Sequence, residues 1–391
     1  MQTEIAARLR LKKGKERPLL QHHHWIYSGA VDKLPEGLWA EVVSFDGKLL
    51  GTAMLNPGRS IVGHMLAWGE ETIEQALSSR IVSATALRKT LFDPAVTNAV
   101  RLIHAESDGI PGLIVDQCDD VLVLQISHPA LEEFKSVIVQ LLVDHIQPTA
   151  IYEKSTSFLR KKEGLSEVRE HLWGEQKPVV EVLENGLKFS VSVVDGQKTG
   201  LFLDQREMRT WVRTLSSGKR VLNCFAYTGG FSVAALAGGA VHVDSIDSSK
   251  KCEPAAAENL RLNNLSPEKH RFLTEDAIGF IAKAKTLPYD LVILDPPAFV
   301  KHRKDIDTAF RAYKDLNRTT LEKMPPSSLL LTCSCSYHVS QELFQNILFR
   351  AALEAGRKVK ILGYHRQALD HPTSIFHPES EYLKSLLLWV E

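Results

Sequence analysis

The sequence of 391 residues lacks the marks of a secreted or membrane protein. Its five cysteines are odd in number and scattered, and no C-x-x-C pair occurs, which excludes a disulfide framework and indicates a reducing compartment. No run approaches the ~18 apolar residues of a transmembrane helix, and the first residues lack the apolar core of a signal peptide. We therefore expect a cytoplasmic protein that does not associate with membranes.

The sequence also has no net charge, because 47 basic residues balance 47 acidic ones. A global electrostatic argument for a nucleic-acid partner is thereby excluded, and any such argument must rest on a local patch. At about 150 residues per domain, the length predicts two or three domains.

Two phosphate-binding motifs are missing, although residues 221–247 have the order of elements that binds nucleosides. An apolar run leads to a Thr228-Gly229-Gly230 turn, a helix of small residues and a strand that ends on Asp247. Such a unit binds its ligand at the carboxyl ends of its strands, where an acid can accept both ribose hydroxyls. The spacing is not G-x-G-x-x-G, and no P-loop occurs. S-adenosylmethionine (SAM), which has a ribose but no phosphate, suits this turn, and an ordinary βαβ unit is the alternative.

Residues 1–72 contain short β-type runs, and we predict that they form a small β-barrel. Asp46-Gly47 between two apolar runs is a strong hairpin signal. The alternation in RLRLK predicts a strand with one charged face, which either contacts phosphates or blocks pairing at a sheet edge. The basic residues of this segment are Arg8, Arg10, Lys12, Lys13, Lys15 and Arg17. The adjacent His22, His23 and His24 lack the spacing of metal ligands, so we interpret them as turn or surface residues and expect no metal.

Residues 73–178 are predicted to form a central α+β domain. Residues 71–92 have helical spacing, two β-type runs flank Cys118-Asp119-Asp120 as in a hairpin, and the polar stretch 164–178 is interpreted as a boundary. From residue 179 to 391 strands and helices alternate, which predicts an α/β domain with a mostly parallel, doubly wound sheet.

Three acids, Asp247, Asp276 and Asp295, lie at the ends of successive predicted strands. These ends line one crevice in a parallel sheet, so we expect Asp247 to hold the ribose and Asp276 the adenine amino group. Each acid alone is also a common helix N-cap. Asp295 begins D-P-P-A-F, in which two prolines fix the carboxylate beside the reacting centre.

Cys333 and Cys335 flank Ser334 at another strand end. Free cysteines are usually buried hydrophobes, but a thiol beside a D-P-P acid and a methyl donor is what cytosine C5 methylation requires. Thiolate attack at carbon 6 makes carbon 5 nucleophilic, and the acid assists at N3. Methylation of guanine N7 or of an exocyclic amine needs no thiolate and stays an alternative, as does a non-catalytic RNA-binding ribosome-assembly protein.

Over essentially its whole length the sequence resembles the PUA-domain-containing class I methyltransferases of the ribosomal large-subunit RNA methyltransferase I type. The resemblance is carried, in order, by RLRLKKGKE, HHWIYSGAV, RLIHAESDGIPGLIVDQ, QKTGLFLDQR, LNCFAYTGGFS, DPPAF, AFRAYKDLN and LLTCSCS. It implies a PUA-like domain, a central domain and a Rossmann-like methyltransferase domain that makes 5-methylcytosine in 23S rRNA. Free rRNA and a large-subunit precursor both stay open as substrates, and a homodimer stays open as the oligomeric state.

The resemblance also implies site residues. Cys335 falls where the family has its nucleophile, Cys333 receives no role, and Ala298 stands where many other 5-methylcytosine RNA methyltransferases carry a cysteine. The implied SAM site consists of Phe225, Tyr227, Thr228, Gly229, Asp247, Asp276 and Asp295. A further loop beside the cofactor is implied at Lys198, Thr199, Gly200, Asp204, Gln205 and Arg206.

Overall fold

The computed structural model describes residues 7–196, 200–299 and 305–391. The chain forms two compact units. The first unit comprises Met1–Val182, Val191–Gly200 and Leu369–Ser380. The second unit comprises Leu183–Ser190, Leu201–Ala368 and Glu381–Glu391. Both predicted N-terminal domains lie within the first unit, and the boundaries at 72 and 178 stay a prediction.

The N-terminal part of the first unit is a curled five-stranded sheet in the order β1-β3-β4-β5-β2. Leu9 and Leu11 are buried while Arg8 and Arg10 are exposed, as the alternation predicts. Leu11 forms an antiparallel bridge with Val31, so the segments that follow the two edge strands meet and close the curl. The elements are β1 (Arg8–Arg10), α1 (Arg17–Leu20), β2 (Trp25–Tyr27), β3 (Trp39–Val43), β4 (Leu49–Leu55) and β5 (Ile61–Trp68).

A second five-stranded sheet, in the order β10-β9-β8-β7-β6, follows in the same unit. Its strands are β6 (Ala99–His104), β7 (Leu113–Cys118), β8 (Val121–Ile126), β9 (Ala150–Ser155) and β10 (Val168–Gly174). Its helices are α2 (Ile73–Leu91), α3 (Pro129–Glu133), α4 (Lys135–Ile146) and α5 (Phe158–Lys162). Thr72 and Gln75 start α2 with a capping box, in which each side chain bonds the other's backbone N–H.

The polar stretch 164–178, which we interpret as a boundary, contains strand β10. This strand pairs antiparallel with β9, at the edge of the sheet. Its side chains are exposed or half-buried, so the sequence here lacks the apolar alternation that would mark a strand.

One apolar core joins the two sheets of the first unit. Trp39 and Leu66 from the curled sheet belong to the same buried cluster as Leu77 of α2, Leu124 of β8 and Ile138 of α4. Burial of shared apolar surface is the main favourable term in folding, which explains why the two predicted domains form one compact body.

The second unit contains a seven-stranded sheet in the order β15-β14-β13-β16-β17-β19-β18. The first five strands in this order are parallel to one another; they are β15, β14, β13, β16 and β17. Strand β19 pairs antiparallel with both β17 and β18. The strands are β13 (Arg220–Cys224), β14 (His242–Asp247), β15 (His270–Thr274), β16 (Leu291–Leu294), β17 (Ser328–Ser334), β18 (Val359–His365) and β19 (Lys384–Val390). Ahead of this sheet, β11 (Val179–Glu184) and β12 (Leu187–Ser192) form a hairpin.

Helices cover the parallel sheet and complete the predicted doubly wound α/β fold. They are α6 (Arg206–Leu215), α7 (Gly230–Ala237), α8 (Cys252–Leu262), α9 (Ala277–Lys283), α10 (Ile306–Lys323) and α11 (Gln341–Glu354). From β13 the chain proceeds outward to β15 and then returns to β16 on the other side of β13. The carboxyl ends of β13 and β16 therefore flank a topological switch point, where open α/β sheets bind ligands. Within the described residues, no helix is both long and apolar enough to cross a membrane.

Candidate active site

Parallel pairing brings the carboxyl ends of four strands to one edge of the sheet. Cys224, the last residue of β13, pairs with Ile246 in β14 and with Leu294 at the end of β16. Leu294 in turn pairs with Thr332 near the end of β17. The predicted site residues that follow these positions are Phe225, Asp247, Asp295 and Cys335. The register thus places all four at the same edge.

The turn after β13 is strained, and Asp247 holds it. Phe225 and Tyr227 adopt φ values of 61° and 47°, and Gly229 has φ 77°. A left-handed backbone is rare for aromatic residues and is typical of functional sites. Asp247 Oδ2 accepts the Tyr227 N–H at 2.9 Å, and Asp247 Oδ1 accepts the Ser249 N–H at 2.9 Å. The carboxylate therefore organises the backbone of the turn.

Asn259 of α8 also forms a hydrogen bond with the turn after β13, a role that the sequence did not reveal. Its Nδ2 donates to the carbonyl of Thr228 at 2.9 Å, and its Oδ1 accepts the Ser190 N–H at 2.8 Å. The approach of α8 is close, since a Cβ on Gly229 would lie 3.1 Å from the Ala256 Cβ. Asn259 is fully buried in a helix, where a polar residue needs both of these partners.

Asp276 is the N-cap of α9, its Oδ2 accepting the Gly279 N–H at 2.7 Å. The side chain is exposed just beyond β15. Capping is thus its observed contact, and the role toward adenine stays a prediction.

The loop before α6 reaches the switch point within the second unit. Gln205 Nε2 donates to Asp295 Oδ1 at 2.9 Å, and the Phe202 ring packs edge-on against Tyr227 with centroids 5.3 Å apart. Asp204 Oδ2 accepts the hydroxyl of Tyr382 at 2.6 Å. Arg206 is buried at the start of α6, where the structure gives it a contact with the hairpin rather than an open face.

Three residues of the predicted loop remain, and the structure describes only Gly200 among them. Lys198 and Thr199 lie outside the described residues. Gly200 belongs to the first unit and has φ 103°, and a Cβ there would lie 2.5 Å from Val191 Cγ1. Glycine is therefore required at this position for steric reasons.

The two cysteines of TCSCS differ in their surroundings, because β17 ends at Ser334 between them. Cys333 is fully buried, and burial together with the nearby charge of Asp295 raises the pKa of its thiol well above the ordinary value. Cys335 is partly exposed, with its Sγ 3.9 Å from the carbonyl oxygen of Pro296. A thiolate is the nucleophilic form, so the geometry favours Cys335.

The six basic residues near the N-terminus are mostly exposed, and two of them form ion pairs. Arg8 Nε lies 2.9 Å from Glu41 Oε2, and Lys12 Nζ lies 3.3 Å from Asp32 Oδ1. Lys13, Lys15 and Arg17 are exposed around the turn that leads to α1. Both interpretations of the segment, a phosphate-contacting patch and a charged sheet edge, are compatible with this arrangement.

The three adjacent histidines are not all at the surface as predicted. His24 is buried with its Nδ1 2.8 Å from the Met65 carbonyl, and burial lowers its pKa to about 4. His23, His377 and Glu379 gather with ligand atoms within 4.8 Å of one another. However, His23 Nδ1 accepts the Trp25 N–H, so a neutral ring carries its proton on Nε2, which faces Glu379 at 3.4 Å. This arrangement favours a hydrogen bond over metal ligation.

The doubly wound sheet, the strained turn held by an acid and the D-P-P loop define a class I SAM-dependent methyltransferase fold, attached to a PUA-like sheet. A model of the SAM-dependent methyltransferase family matches residues 101–358, and a PUA-like domain model matches residues 9–68. The chain therefore belongs to the SAM-dependent methyltransferase family.

Individual relatives are similar over nearly the whole chain. Ribosomal RNA large subunit methyltransferase I of Yersinia pseudotuberculosis is 37% identical over 389 residues, which are 97% of this chain and 98% of the relative. A SAM-dependent methyltransferase structure from Streptococcus mutans has a TM-score of 0.85 at 25% identity, covering 98% of this chain and 99% of that one. The structure of the methyltransferase SMU.776 complexed with SAH has a TM-score of 0.86 at 24% identity with the same coverage and shows the same fold.

Proposed function

We propose that this methyltransferase forms 5-methylcytosine in 23S rRNA through a covalent bond from Cys335, in the cytoplasm. The observation that carries the proposal is the partly exposed Cys335 thiol beside the D-P-P loop, 3.9 Å from the Pro296 carbonyl. The name of the Yersinia relative supports a ribosomal RNA substrate of the large subunit. A methyltransferase acting on guanine N7 or an amine would have no use for this thiol.

The residues at the switch point fit SAM. Asp247 lies at the carboxyl end of β14, where it would hold the ribose in addition to the turn amides. Gln205 is buried, and its Oε1 has no hydrogen-bond partner among the described residues while its Nε2 holds Asp295. A buried acceptor of this kind suits the ammonium of the methionine moiety. When bound, SAM supplies an electrophilic methyl group.

In the proposed reaction, Cys335 acts as the nucleophile. Its thiolate forms a bond to cytosine carbon 6, and the electron pair of the 5,6 double bond passes to carbon 5, which takes up the methyl group. Asp295, held by Gln205, assists at N3. Loss of the carbon 5 proton to a base then restores the double bond and expels the thiolate. The target base must leave any stacked helix to reach the site.

We expect Asp247→Ala to weaken SAM binding by at least about 10- to 100-fold, the effect of losing one charge-assisted hydrogen bond. The substitution removes charge-assisted hydrogen bonds, each contributing about 1.5–3 kcal/mol, and it also frees the Tyr227 turn. Calorimetric titration with SAM measures the change. Asp290→Ala is the matched control, since Asp290 directly precedes β16 and accepts the Arg220 N–H at the amino ends of the parallel strands, opposite the site. Unchanged affinity in Asp247→Ala would contradict the assignment.

We propose that the basic segment before α1 contributes RNA affinity and not chemistry. Replacing Lys13, Lys15 and Arg17 by Gln should raise the Kd for rRNA and reduce the steepness with which log Kd rises with log salt. SAM affinity should be unchanged. Neutralising Lys269, Lys283 and Lys285, three exposed lysines of the second unit, provides a control of equal charge. If the salt slope does not change, the segment serves only as a solvated sheet edge.

We further propose that the substrate is 23S rRNA, either free or in a large-subunit precursor, and that the protein forms a homodimer. The exposed Leu362 and Tyr364 on β18, at the open edge of the seven-stranded sheet, support a self-association surface. Light scattering coupled to gel filtration tests the dimer.

Mapping the methylated bases in rRNA from a strain that lacks the protein tests the proposed product, because loss of one 5-methylcytosine in 23S rRNA is expected. Loss of a methylguanine instead would favour the alternative chemistry.

A further inference from the structure

Lys384 is a lysine buried beside the nucleophile segment, which is an unusual location for this residue type. It begins β19, pairs with Ser334 at the end of β17, and is 3% exposed. Burial lowers its pKa to about 8, while the nearby Cys335 acts in the opposite direction. The side chain is therefore still mostly charged at neutral pH.

The ammonium group of Lys384 forms hydrogen bonds with two segments of the chain, one directly after Cys335 and one directly before β19. Nζ donates to the carbonyl of Ser336 at 2.7 Å and to the carbonyl of Tyr382 at 2.7 Å. Ser336 is held a second time, because its hydroxyl lies 3.0 Å from the Tyr313 hydroxyl. Cys335 lies between Ser334, which pairs with Lys384, and Ser336, to which Lys384 donates, so these contacts fix the backbone that carries the thiol.

Within the described part of the chain, Lys384 forms no close ion pair. Among the described residues no carboxylate oxygen lies within 4.0 Å of Nζ, although Glu381 acts on it at longer range. Three further titratable groups of the described residues lie close to this segment, and none of them is a cation. Burial raises the pKa of Tyr313 to about 12 and that of Cys333 well above its ordinary value, and Asp295 acts as a negative charge near Cys333. Lys384 is thus a cation, within the described part of the chain, whose charge acts on Cys335.

We propose that Lys384 is a positioning residue for Cys335: it holds the Ser334–Ser336 segment in place, and its positive charge stabilises the thiolate. This inference rests on the proposed role of Cys335 as nucleophile. The physical basis is that a cation close to a thiol favours the deprotonated form, which is the reactive one. The carbonyl contacts add a second effect, because an ordered thiol needs no rearrangement before attack.

The experiment measures the titration of the Cys335 thiol in the whole protein, without RNA or SAM. The rate of alkylation by iodoacetamide is followed against pH, and the rate in Cys335→Ala is subtracted, the other four cysteines being buried. In the wild-type protein the apparent pKa should lie below the ~8.5 of an ordinary thiol. Lys384→Met should raise it by about one pH unit, so that alkylation at pH 7 slows about 10-fold. Lys384→Arg, which keeps the charge, should restore most of the rate.

Lys360→Met is the matched control, since Lys360 is exposed on β18 and pairs with Glu391. It should leave the profile unchanged. An apparent pKa at or above the ordinary value in the wild-type protein would overturn the proposal, and this result does not depend on any variant folding. An identical profile in folded Lys384→Met would overturn it as well. The proposed function is tested separately, by adduct formation with RNA, so a shifted profile without an adduct would uphold Lys384 and reject the covalent mechanism.

Discussion

Enzyme incubated with SAM and RNA that contains 5-fluorocytosine is expected to give a complex that survives denaturing electrophoresis, and Cys335→Ala is expected to abolish it. The fluorine at carbon 5 cannot leave as a proton does, so the bond from Cys335 to carbon 6 persists after methyl transfer. Cys335→Ala should also reduce methylation of ordinary RNA to background while SAM affinity stays intact, because the thiol lies beside the D-P-P loop and not in the Asp247 turn.

Cys333→Ala is the matched control for this experiment. The same atoms are removed two residues away, but Cys333 is fully buried and its pKa is raised well above the ordinary value, so it should retain adduct formation and activity. Some loss of stability is expected from the small cavity that the substitution leaves. An adduct that survives Cys335→Ala and disappears with Cys333→Ala would show that the wrong thiol has been assigned. Methylation that neither substitution affects would reject the covalent mechanism.

The edge of the sheet that carries the candidate site could be predicted because its signals are local in sequence. The Thr228-Gly229-Gly230 turn, the acid at Asp247 and the D-P-P segment each follow a short apolar run directly, and a parallel sheet aligns such strand ends. The end of β17 between Cys333 and Cys335 was likewise predicted, since the apolar run SLLLT precedes it.

Contacts between distant segments could not be predicted in this way. YLKSLLLWVE predicts a strand, but nothing in it indicates that β19 pairs antiparallel with β17 and so brings Lys384 opposite Ser334. A lysine at the start of an otherwise buried strand was the available signal. His24 is a similar case, because it is buried against β5, which lies some forty residues later in the chain. The Nδ1 atom of His24 lies 2.8 Å from the carbonyl oxygen of Met65 in β5. Pairing of this kind is set by tertiary packing, which local patterns do not encode.

Glu184 is expected to be the most important ionic residue for the stability of the second unit. It ends β11, is 2% exposed, and receives hydrogen bonds from Arg209 Nε at 2.5 Å and from Arg209 Nη2 at 2.6 Å. Arg206 Nε lies 3.7 Å away. Removing one partner of a buried ion pair leaves an uncompensated charge and costs about 3–5 kcal/mol. Glu184→Ala should therefore lower the urea midpoint of this unit by more than about 1 M.

The effect of Glu184→Ala should extend to the site through α6. Arg209 also donates to the Phe202 carbonyl at 2.9 Å, and Phe202 precedes Gln205, which holds Asp295. Loosening Arg209 should thus weaken SAM binding in addition to lowering stability. Glu268→Ala is the control, since Glu268 is exposed in the same unit, and a surface substitution usually changes stability by no more than about 0.5 kcal/mol. Equal urea midpoints for the two variants would show that the Glu184–Arg209 pair contributes little net stability, as happens when the cost of desolvating two charges cancels their attraction.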